Sequence, residues 1–433
     1  MQLEETDDRI SDATHPEHLP QQVKVIYYGD RSVLVTWSTG YSQEGPRTLE
    51  PLPSCSNCAA VQLGDARGEY TQTIHGETVT YDQLYWGFPE ATNYTSPYIH
   101  RALIEDVGST STIYYRVGNP AKDTWSAEYS FSLPWLAPQA YPLTVGLVAD
   151  GGQTHNSSTT YEHLRRVQPD LVVFGGDMTY SDVRAANGSY YDFIFNFTAP
   201  AYGNSPSPLF YSMDVGPMHI IFLSSYAPYD SDSDQVRWLT HDLSSVNRSK
   251  TPWVMVSIHA ALYNSYLSHY QEAECARLAF EPLFLRYGVD LVVSGHVHAY
   301  ERSFPVSDYK IDDCAPVYVT LGDGGNVEKL EAVFADLPGN CPRERIVGPS
   351  YQPDACPARH YDGAFCSGSQ PLWSAFREPA FGFGTLRLEN ETHALFEWHR
   401  NEDPVPVVSD SVYFVRNDEA CTARRGGILN VSS

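Results

Sequence analysis

The sequence predicts a protein of two domains, an all-β sandwich followed by an α/β domain. The chain has 433 residues, which is enough for two or three domains. Hydrophobic residues make up 42% and charged residues 19%, the balance of a folded globular protein. The hydrophobic pattern also changes across residues 133–142, from short alternating runs to buried strands that alternate with helical segments.

Residues 20–133 are predicted to form an antiparallel sandwich of the immunoglobulin or fibronectin type III kind. Its short runs alternate apolar and polar residues, are rich in β-branched and aromatic side chains, and are separated by Gly, Pro and Asn. The predicted strands are QVKVIYYG, SVLVTWST, YTQTIHG, TIYYRVGN and AEYSFSLP. Residues 1–19 are interpreted as an N-terminal tail and residues 134–142, which contain three prolines with Leu133 just before them, as a linker.

Residues 143–418 are predicted to form the α/β domain, and residues 419–433 a C-terminal tail. Alternation of apolar strands with helical segments predicts a central sheet covered by helices on both faces. Helices are expected over YEHLRRV and near residues 234–246 and 275–287, with Asp232 and Gln235 as the capping pair of the second. The predicted strands are LTVGLVAD, DLVVFGGD, MHIIFLSS, WVMVSIH, DLVVSGHVH, VYVTLGD, GTLRLEN and HALFEWHR.

The charge balance excludes two classes of partner. Lys and Arg number 28 against 53 for Asp and Glu, so the formal net charge is −25. Because such a surface repels phosphate backbones and anionic lipids, neither nucleic acid nor a membrane is expected as a partner. An apolar run of ~18 residues, as a membrane-spanning helix requires, does not occur.

The cysteines and glycosylation motifs favour a secreted or extracellular protein. Cys55-x-x-Cys58 is not accompanied by the two further ligands of a structural zinc site, so the eight cysteines are expected to form disulfides. Since the first residues are acidic and polar rather than typical of a signal peptide, we expect that the natural start lies elsewhere or that the gene model is incomplete. Seven N-x-[ST] motifs begin at Asn93, Asn156, Asn187, Asn196, Asn247, Asn390 and Asn430.

Side chains that can bind metals stand at the ends of four predicted strands. The first two strands end on Asp150 and Asp177, and the WVMVSIH strand ends on His259. DLVVSGHVH ends on His296 and His298. Because the carboxyl ends of strands in an α/β sheet line one crevice, we expect these groups to converge there, together with Tyr180.

Each of these residues alone has an ordinary interpretation. A single Asp after a strand is usually a turn residue or a helix cap, and a single His is usually a core or surface residue. Gly-His-x-His is rarer, because alternate residues of a strand point the same way and would direct both rings at one centre. Four such strand ends together predict a metal site, and imidazole with carboxylate suits divalent Zn, Mn or Fe.

Four motifs and several longer segments resemble the purple acid phosphatases of the metallophosphatase superfamily, in particular their plant-type two-domain members. The motifs are Asp150-x-Gly152, Gly176-Asp-x-x-Tyr180, Val254-x-x-x-x-His259 and Gly295-His-x-His298. The longer segments are Phe210–Gly216, Leu321–Asn326, Trp373–Glu378 and Thr392–Arg400, together with the N-terminal sandwich. The resemblance therefore covers nearly the whole chain and implies a metallophosphatase α/β sandwich for the second domain.

The resemblance also implies a dinuclear centre of Fe(III) and a divalent metal (Zn, Mn or Fe). Asp177 would bridge the two ions, and His259 and His296 would bind the divalent ion. His269 would be a catalytic histidine that contacts substrate outside the metal shell, although it can equally be interpreted as an exposed histidine at the start of a helix. The implied ferric ligands are Asp150, Tyr180 and His298.

One family motif, Gly-Asn-His-Asp/Glu, is missing between Tyr180 and Phe210. It would supply an asparagine to the divalent ion and a histidine that assists proton transfer. The only Gly-Asn in this interval, Gly203-Asn204, is followed by Ser205 and lies too close to Phe210. A lost stretch of coding sequence and a truly reduced site both explain the gap, and neither His155 nor His219 is expected to substitute.

The leading hypothesis is a secreted acid phosphatase that hydrolyses small phosphate monoesters, in which a metal-bound hydroxide attacks phosphorus. One alternative is a phosphodiesterase or nuclease that uses the same site. The other is a catalytically impaired, secreted metal-binding protein. If the chain forms an assembly, we expect a homodimer.

Overall fold

The computed structural model describes residues 18–29, 31–40, 43–44, 58–85, 92–107, 112–136, 141–178, 205–341, 368–416 and 421. The chain divides into two compact units between Pro138 and Gln139, within the segment interpreted as a linker. The exact domain boundaries stay a prediction. Each unit is described by itself below.

The first unit is all β, as predicted. Every strand pair in it is antiparallel, with the sheet orders β1-β2-β9-β6, β11-β10-β4-β5 (with β12 also on β10) and β3-β8-β7. Val33, Val35, Trp37, Val61 and Val117 are buried in it. The strands are β1 (Gln21–Gly29), β2 (Ser32–Thr39), β3 (Gln43–Glu44), β4 (Ala60–Gly64), β5 (Gln72–His75), β6 (Glu77–Val79), β7 (Asp82–Tyr85), β8 (Thr92–Thr95), β9 (Tyr98–Ile104), β10 (Ile113–Asn119), β11 (Thr124–Trp125) and β12 (Tyr129–Phe131).

The sequence analysis missed β9 because polar residues interrupt its apolar pattern. His100 is buried at the centre of this strand, and its two ring nitrogens each lie 2.8 Å from a threonine hydroxyl of a flanking strand, Thr39 and Thr78. Only the neighbouring strands make such a residue compatible with the interior.

In the second unit, the described residues form three helices and the remaining strands. The helices are α1 (His155–Val167), α2 (Asp234–Ser245) and α3 (Glu274–Tyr287). The strands are β13 (Leu143–Val148), β14 (Leu171–Phe174), β15 (Tyr211–Val215), β16 (Met218–Leu223), β17 (Trp253–Ile258), β18 (Leu291–Ser294), β19 (Tyr300–Ser303), β20 (Val306–Ser307), β21 (Lys310–Ile311), β22 (Val317–Leu321), β23 (Ser374–Glu378), β24 (Gly382–Leu388), β25 (His393–Arg400) and β26 (Val407–Val415).

This unit has two main sheets, so the expectation of one central sheet is wrong. Their orders are β14-β13-β24-β25-β26 and β15-β16-β17-β18-β22-β19-β23. The strand β24, expected only to close the domain, pairs with β13 from Leu143 to Leu147. The two sheets contact each other where Tyr300 of β19 stacks on Trp398 of β25, with ring centroids 4.5 Å apart. The apolar pattern of a strand does not reveal which sheet it joins.

The helices cover the outer faces of the two sheets. Leu164 of α1 packs with Val148 and Phe383 of the first sheet. Helices α2 and α3 bury residues such as Leu239 and Phe280 in the large apolar cluster of the second sheet. The layers are therefore helix, sheet, sheet and helices, and in each sheet parallel strands carry the predicted site residues at their carboxyl ends.

The predicted cap of α2 is wrong by one residue. The Ser233 side chain caps the helix by accepting a hydrogen bond from the Val236 amide. Gln235 instead accepts from the Ser224 amide through its side-chain oxygen, so it holds the segment after β16 rather than the start of the helix.

Cysteine pairing agrees with the sequence analysis. Cys314 and Cys421 form a disulfide, and no cysteine among the described residues is free. In the part of the chain that the structure describes, no helix is long and apolar enough to cross a membrane.

Candidate metal centre

The loops after β13 and β14 are joined by backbone hydrogen bonds. The amides of Asp150 and Gly151 donate to the carbonyls of Gly176 and Asp177 over 3.0 and 3.1 Å. Both aspartates have positive φ, 53° and 46°, a conformation that aspartate tolerates better than most residues. Two parallel strands therefore place two carboxylates side by side, and that of Asp150 is fully buried.

Two glycines are required by the close approach of these side chains. A Cβ atom at Gly295 would lie 2.0 Å from Oδ2 of Asp150. One at Gly176 would lie 2.5 Å from Nδ1 of His259. No heavy atom fits at such distances, so these motif glycines make room for the two side chains.

His259 follows β17 and is buried beside the two carboxylates. Its Nδ1 lies 3.1 Å from the carbonyl of Gly175, which favours the tautomer with the proton on Nδ1. Its Nε2 lies 3.3 Å from Oδ2 of Asp177 and makes no hydrogen bond to the described residues. Nε2 is thus the ring atom that faces the carboxylates.

His298, which lies between β18 and β19, has a similar environment. Its Nδ1 lies 3.2 Å from the carbonyl of Lys329, and its Nε2 lies 3.4 Å from Oδ1 of Asp150. A carbonyl on one ring nitrogen and a carboxylate facing the other is the usual environment of a metal-binding histidine.

His296 faces a different carboxylate from His298, and strand alternation does not place either ring. The strand β18 ends at Ser294, and His296 has φ 67°, so the two histidines lie on the loop beyond the strand. The His296 amide donates to Oδ2 of Asp150 over 2.9 Å. Its ring lies 5.2 Å from that of His259, centroid to centroid, and its Nε2 lies 3.4 Å from Oε1 of Glu272.

His269 and Glu272 complete this side of the centre. Nδ1 of His269 donates to Oε2 of Glu272 over 2.5 Å, and the His269 ring lies 3.8 Å from that of His296. His269 precedes α3 and is about one-third exposed, with its side chain held at the site. The sequence analysis missed Glu272, for which the spacing His-x-x-Glu before a helix was the available signal.

The charges of the site act on one another. Burial disfavours the imidazolium form of His259, but the carboxylates of Asp150 and Asp177 outweigh burial and raise its pKa to about 9. Hydrogen bonds from His269 and His296 lower the pKa of Glu272 far below its usual range. The charged forms of His259 and Glu272 are therefore both favoured by the groups around them.

The arrangement fits metal ions. Asp150, Asp177 and His259 offer ligand atoms within 4.8 Å of one another, and so do His269, Glu272 and His296. Two ligands with bonds of ~2.1 Å at a tetrahedral angle lie about 3.4 Å apart. The nitrogen-to-oxygen distances of 3.3–3.4 Å around His259, His296 and His298 match that separation. They exceed the ~2.7–2.9 Å of a charge-assisted hydrogen bond.

Five of the six predicted metal ligands thus lie together in the structure, with the predicted catalytic histidine beside them. Tyr180, the sixth, lies outside the described residues. The amide of Gly152 donates to the carbonyl of Met178, two residues before Tyr180, over 2.9 Å.

Comparison with known proteins identifies the same family along the chain. Residues 20–133 match the family described as "Purple acid Phosphatase, N-terminal domain". Residues 210–300 match "Calcineurin-like phosphoesterase", and residues 359–411 match "Iron/zinc purple acid phosphatase-like protein C".

Characterised relatives match most of the chain. Purple acid phosphatase 15 of Arabidopsis thaliana is 35% identical over 462 aligned positions, covering 93% of this chain and 86% of the relative. Phosphoenolpyruvate phosphatase of Allium cepa is 34% identical, with coverages of 94% and 84%. Fe(3+)-Zn(2+) purple acid phosphatase 12 of Arabidopsis thaliana is 34% identical, with coverages of 75% and 73%.

A solved structure shares the fold. The purple acid phosphatase PPD1 from seeds of yellow lupin (Lupinus luteus) superposes with a TM-score of 0.66 at 19% identity. The match covers 94% of this chain and 76% of the lupin chain.

Proposed function

The chain belongs to the purple acid phosphatase family, and from that premise we propose that it is an acid phosphatase that hydrolyses small phosphate monoesters at a centre of Fe(III) and a divalent ion. The observation that carries the proposal is the group formed by Asp150, Asp177 and His259, with His298 directed at it. Strands of two sheets hold these residues; Nε2 of His259 lies 3.3 Å from Asp177, and Nε2 of His298 lies 3.4 Å from Asp150.

The ligand assignment follows the family resemblance. Asp150, Tyr180 and His298 would hold the ferric ion. His259 and His296 would hold the divalent ion, and Asp177 would serve both. When bound, such a pair of ions polarises phosphate oxygens and lowers the pKa of a bound water.

The protein's own groups bind and orient the phosphate ester. The Nδ1 proton of His269 is held by Glu272, so Nε2 is the ring atom available to a substrate oxygen. Because the carboxyl of Glu272 is kept ionised, it holds the His269 ring in one orientation.

A comparison of esters and metals tests the proposal. Protein loaded with iron and zinc should hydrolyse an aryl phosphate monoester faster than the matching diester, and metal analysis should find two ions per chain. Asp150→Asn should lose both ions and activity, whereas the exposed Asp313→Asn should keep them. A faster diester reaction would favour the phosphodiesterase alternative.

The visible absorption of the protein tests whether Tyr180 is a ligand of the ferric ion. A tyrosinate bound to ferric iron absorbs visible light, so the iron-loaded protein should show a visible band. Tyr180→Phe should abolish it, and a band that survives the substitution would contradict this ligand assignment.

A catalytically impaired metal-binding protein is a second candidate, favoured by the missing Gly-Asn-His-Asp/Glu motif. The alignment with the first relative spans 462 positions, more than the 433 residues of this chain, so that relative has residues without a counterpart here. Insertion of the family segment between Phe195 and Asn196 should then raise zinc affinity and activity together. If the chain as it stands matches a full-length relative in rate, this candidate fails.

Secretion is supported by the disulfide Cys314–Cys421 and by exposed acceptor asparagines at Asn247 and Asn390. Protein from its natural source should lose mass on treatment with an N-glycosidase. Several free thiols in the native protein would argue against secretion.

A further inference from the structure

Tyr226 lies at the sheet edge that carries His259. Its strand, β16, runs parallel to β17, and the last residues of the two strands, Leu223 and Ile258, pair with each other. The residues that follow these strands therefore reach the same edge, His259 after β17 and Tyr226 after β16. The Tyr226 and His259 rings lie 6.5 Å apart, centroid to centroid.

Hydrogen bonds on both sides hold the short segment between β16 and Tyr226. The buried side chain of Gln235 accepts from the Ser224 amide over 2.7 Å and donates to the Ser224 carbonyl over 3.1 Å. The Ser224 hydroxyl oxygen accepts from the Tyr226 amide over 3.2 Å. The Ser225 hydroxyl oxygen accepts from the Ala260 amide over 2.8 Å, which joins this segment to the one after β17. The backbone of Tyr226 is therefore fixed relative to the metal centre.

The side chain of Tyr226 is nevertheless 58% exposed. Tyr229, three residues later on the same loop, is instead buried in the large apolar cluster of the second sheet. A large aromatic side chain that stays exposed on a fixed loop offers a rigid surface to a ligand, and its favoured partners are other planar rings.

The rings on the divalent side of the centre form a series that ends at Tyr226. The His269 ring lies 3.8 Å from that of His296, and the His296 ring lies 5.2 Å from that of His259. Tyr226 is the next ring after His259. Since the phosphate of a monoester would be held at the centre, the group esterified to it extends towards the rim, where Tyr226 lies.

We propose that Tyr226 is a specificity-determining residue that stacks against an aromatic group esterified to the phosphate. The inference rests on the proposed phosphatase function and adds the class of ester that the site prefers, aryl phosphate monoesters over alkyl ones. An aromatic group gains both apolar contact and ring stacking on the Tyr226 ring, whereas a small alkyl group gains little of either.

Binding of two non-hydrolysable phosphonates to the protein loaded with iron and zinc tests the contact. Phenylphosphonate carries an aromatic ring and methylphosphonate does not, but both present the same charged oxygens. Calorimetry should show that Tyr226→Ala weakens phenylphosphonate binding by about 3- to 10-fold, the size of an aromatic pair interaction, and leaves methylphosphonate binding unchanged. The ratio of KM for phenyl phosphate to KM for glycerol phosphate should rise by the same factor.

Two matched variants separate the ring from other effects. Tyr226→Phe keeps the ring and should bind both phosphonates as the parent protein does. Tyr413→Ala removes a tyrosine of similar exposure, 52%, from β26, and it should also bind both phosphonates as the parent does. Thermal unfolding of each variant confirms that it is folded.

The outcomes distinguish the contact from the function. If Tyr226→Ala binds phenylphosphonate as tightly as the parent, or loses equal affinity for both phosphonates, the stacking proposal is overturned. A loss in Tyr226→Phe as large as that in Tyr226→Ala also overturns it, because the hydroxyl and not the ring would then make the contact. If the parent binds phosphonates but hydrolyses no monoester, the proposed phosphatase function fails, and the phosphonate comparison still tests Tyr226.

Discussion

His219 and His259 are both buried histidines of the α/β unit that face aspartates, and in both the carboxylates outweigh burial and raise the pKa to about 9. Their contacts differ. Nδ1 of His219 lies 2.7 Å from Asp214, and its Nε2 lies 2.9 Å from Asp242, so both nitrogens make good hydrogen bonds. Nε2 of His259 lies 3.3 Å from Asp177 and makes no hydrogen bond to the described residues.

The comparison shows that a raised pKa alone does not distinguish a structural cluster from a functional one. In the His219 cluster, Ser212 and Lys250 bond the remaining aspartate oxygens, so the donors and acceptors satisfy one another. In the metal centre the histidine nitrogens and carboxylates stay apart and face one another. Groups that hydrogen-bond to one another stabilise the fold, whereas groups held beyond hydrogen-bond distance leave room for an ion.

The largest expected effect is on activity, and it separates the two clusters. Asp177→Asn should lower phosphatase activity by about 10³-fold, because bound metal ions supply several kcal/mol of charge stabilisation. Asp242→Asn, the same substitution in the His219 cluster, should leave the rate per folded molecule unchanged. Steady-state kinetics on equal amounts of folded protein checks both. Equal losses of activity in the two variants would contradict the distinction between the metal centre and the His219 cluster.

The reverse effect is expected on stability. His219→Gln should destabilise the fold by about 3–5 kcal/mol, because removal of the histidine leaves the buried carboxylate of Asp242 and the half-buried one of Asp214 without this partner. The rate per folded molecule should be unchanged. Urea unfolding of parent and variant measures the difference, and a loss below about 1 kcal/mol would show that the cluster does not hold the fold.

The pH dependence of stability should report the same cluster. The folded-state pKa of His219, about 9, exceeds its ordinary value, so its contribution is fully present below pH 6.5 and lost as the pH rises through about 9. A shift of this size corresponds to about 3 kcal/mol. Burial opposes ionisation of Asp214, but hydrogen bonds with His219 and Lys250 lower its pKa, so its contribution is lost only in acid.

The measurement compares unfolding free energies of the parent and His219→Gln from pH 5 to pH 10. The difference between the two proteins should be constant below pH 6.5 and should shrink above it. A difference that stays constant up to pH 10 would contradict a protonated His219.

The smallest expected effect concerns the glycine beside the metal centre. Gly295→Ala should cost about 1–3 kcal/mol, since its Cβ would collide with the Asp150 carboxylate, and iron binding should weaken with it. Gly146→Ala is the matched control, because its Cβ would meet Leu164 and Pro169 instead. It should lose stability and keep its iron. Equal iron content in both variants would show that Asp150 adapts.

Much of the site could be predicted from sequence because its residues follow apolar strands directly. Asp150, Asp177 and His259 stand just after β13, β14 and β17, and strand direction brings such positions together. Glu272 could not be found in this way, because it lies on a loop before α3. Its role depends on where that loop meets His296.

The metal-capable residue types, their spacing and the order of β and α/β regions are properties of the sequence alone, because hydrophobic periodicity and strand ends are local. Tertiary structure decided what depends on distant partners. It divided the strands between two sheets, placed His296 beside Glu272 and paired His219 with Asp242. Hydrogen-bond partners and ligand separations are distances in space, and residues far apart in the chain set them only after packing is complete.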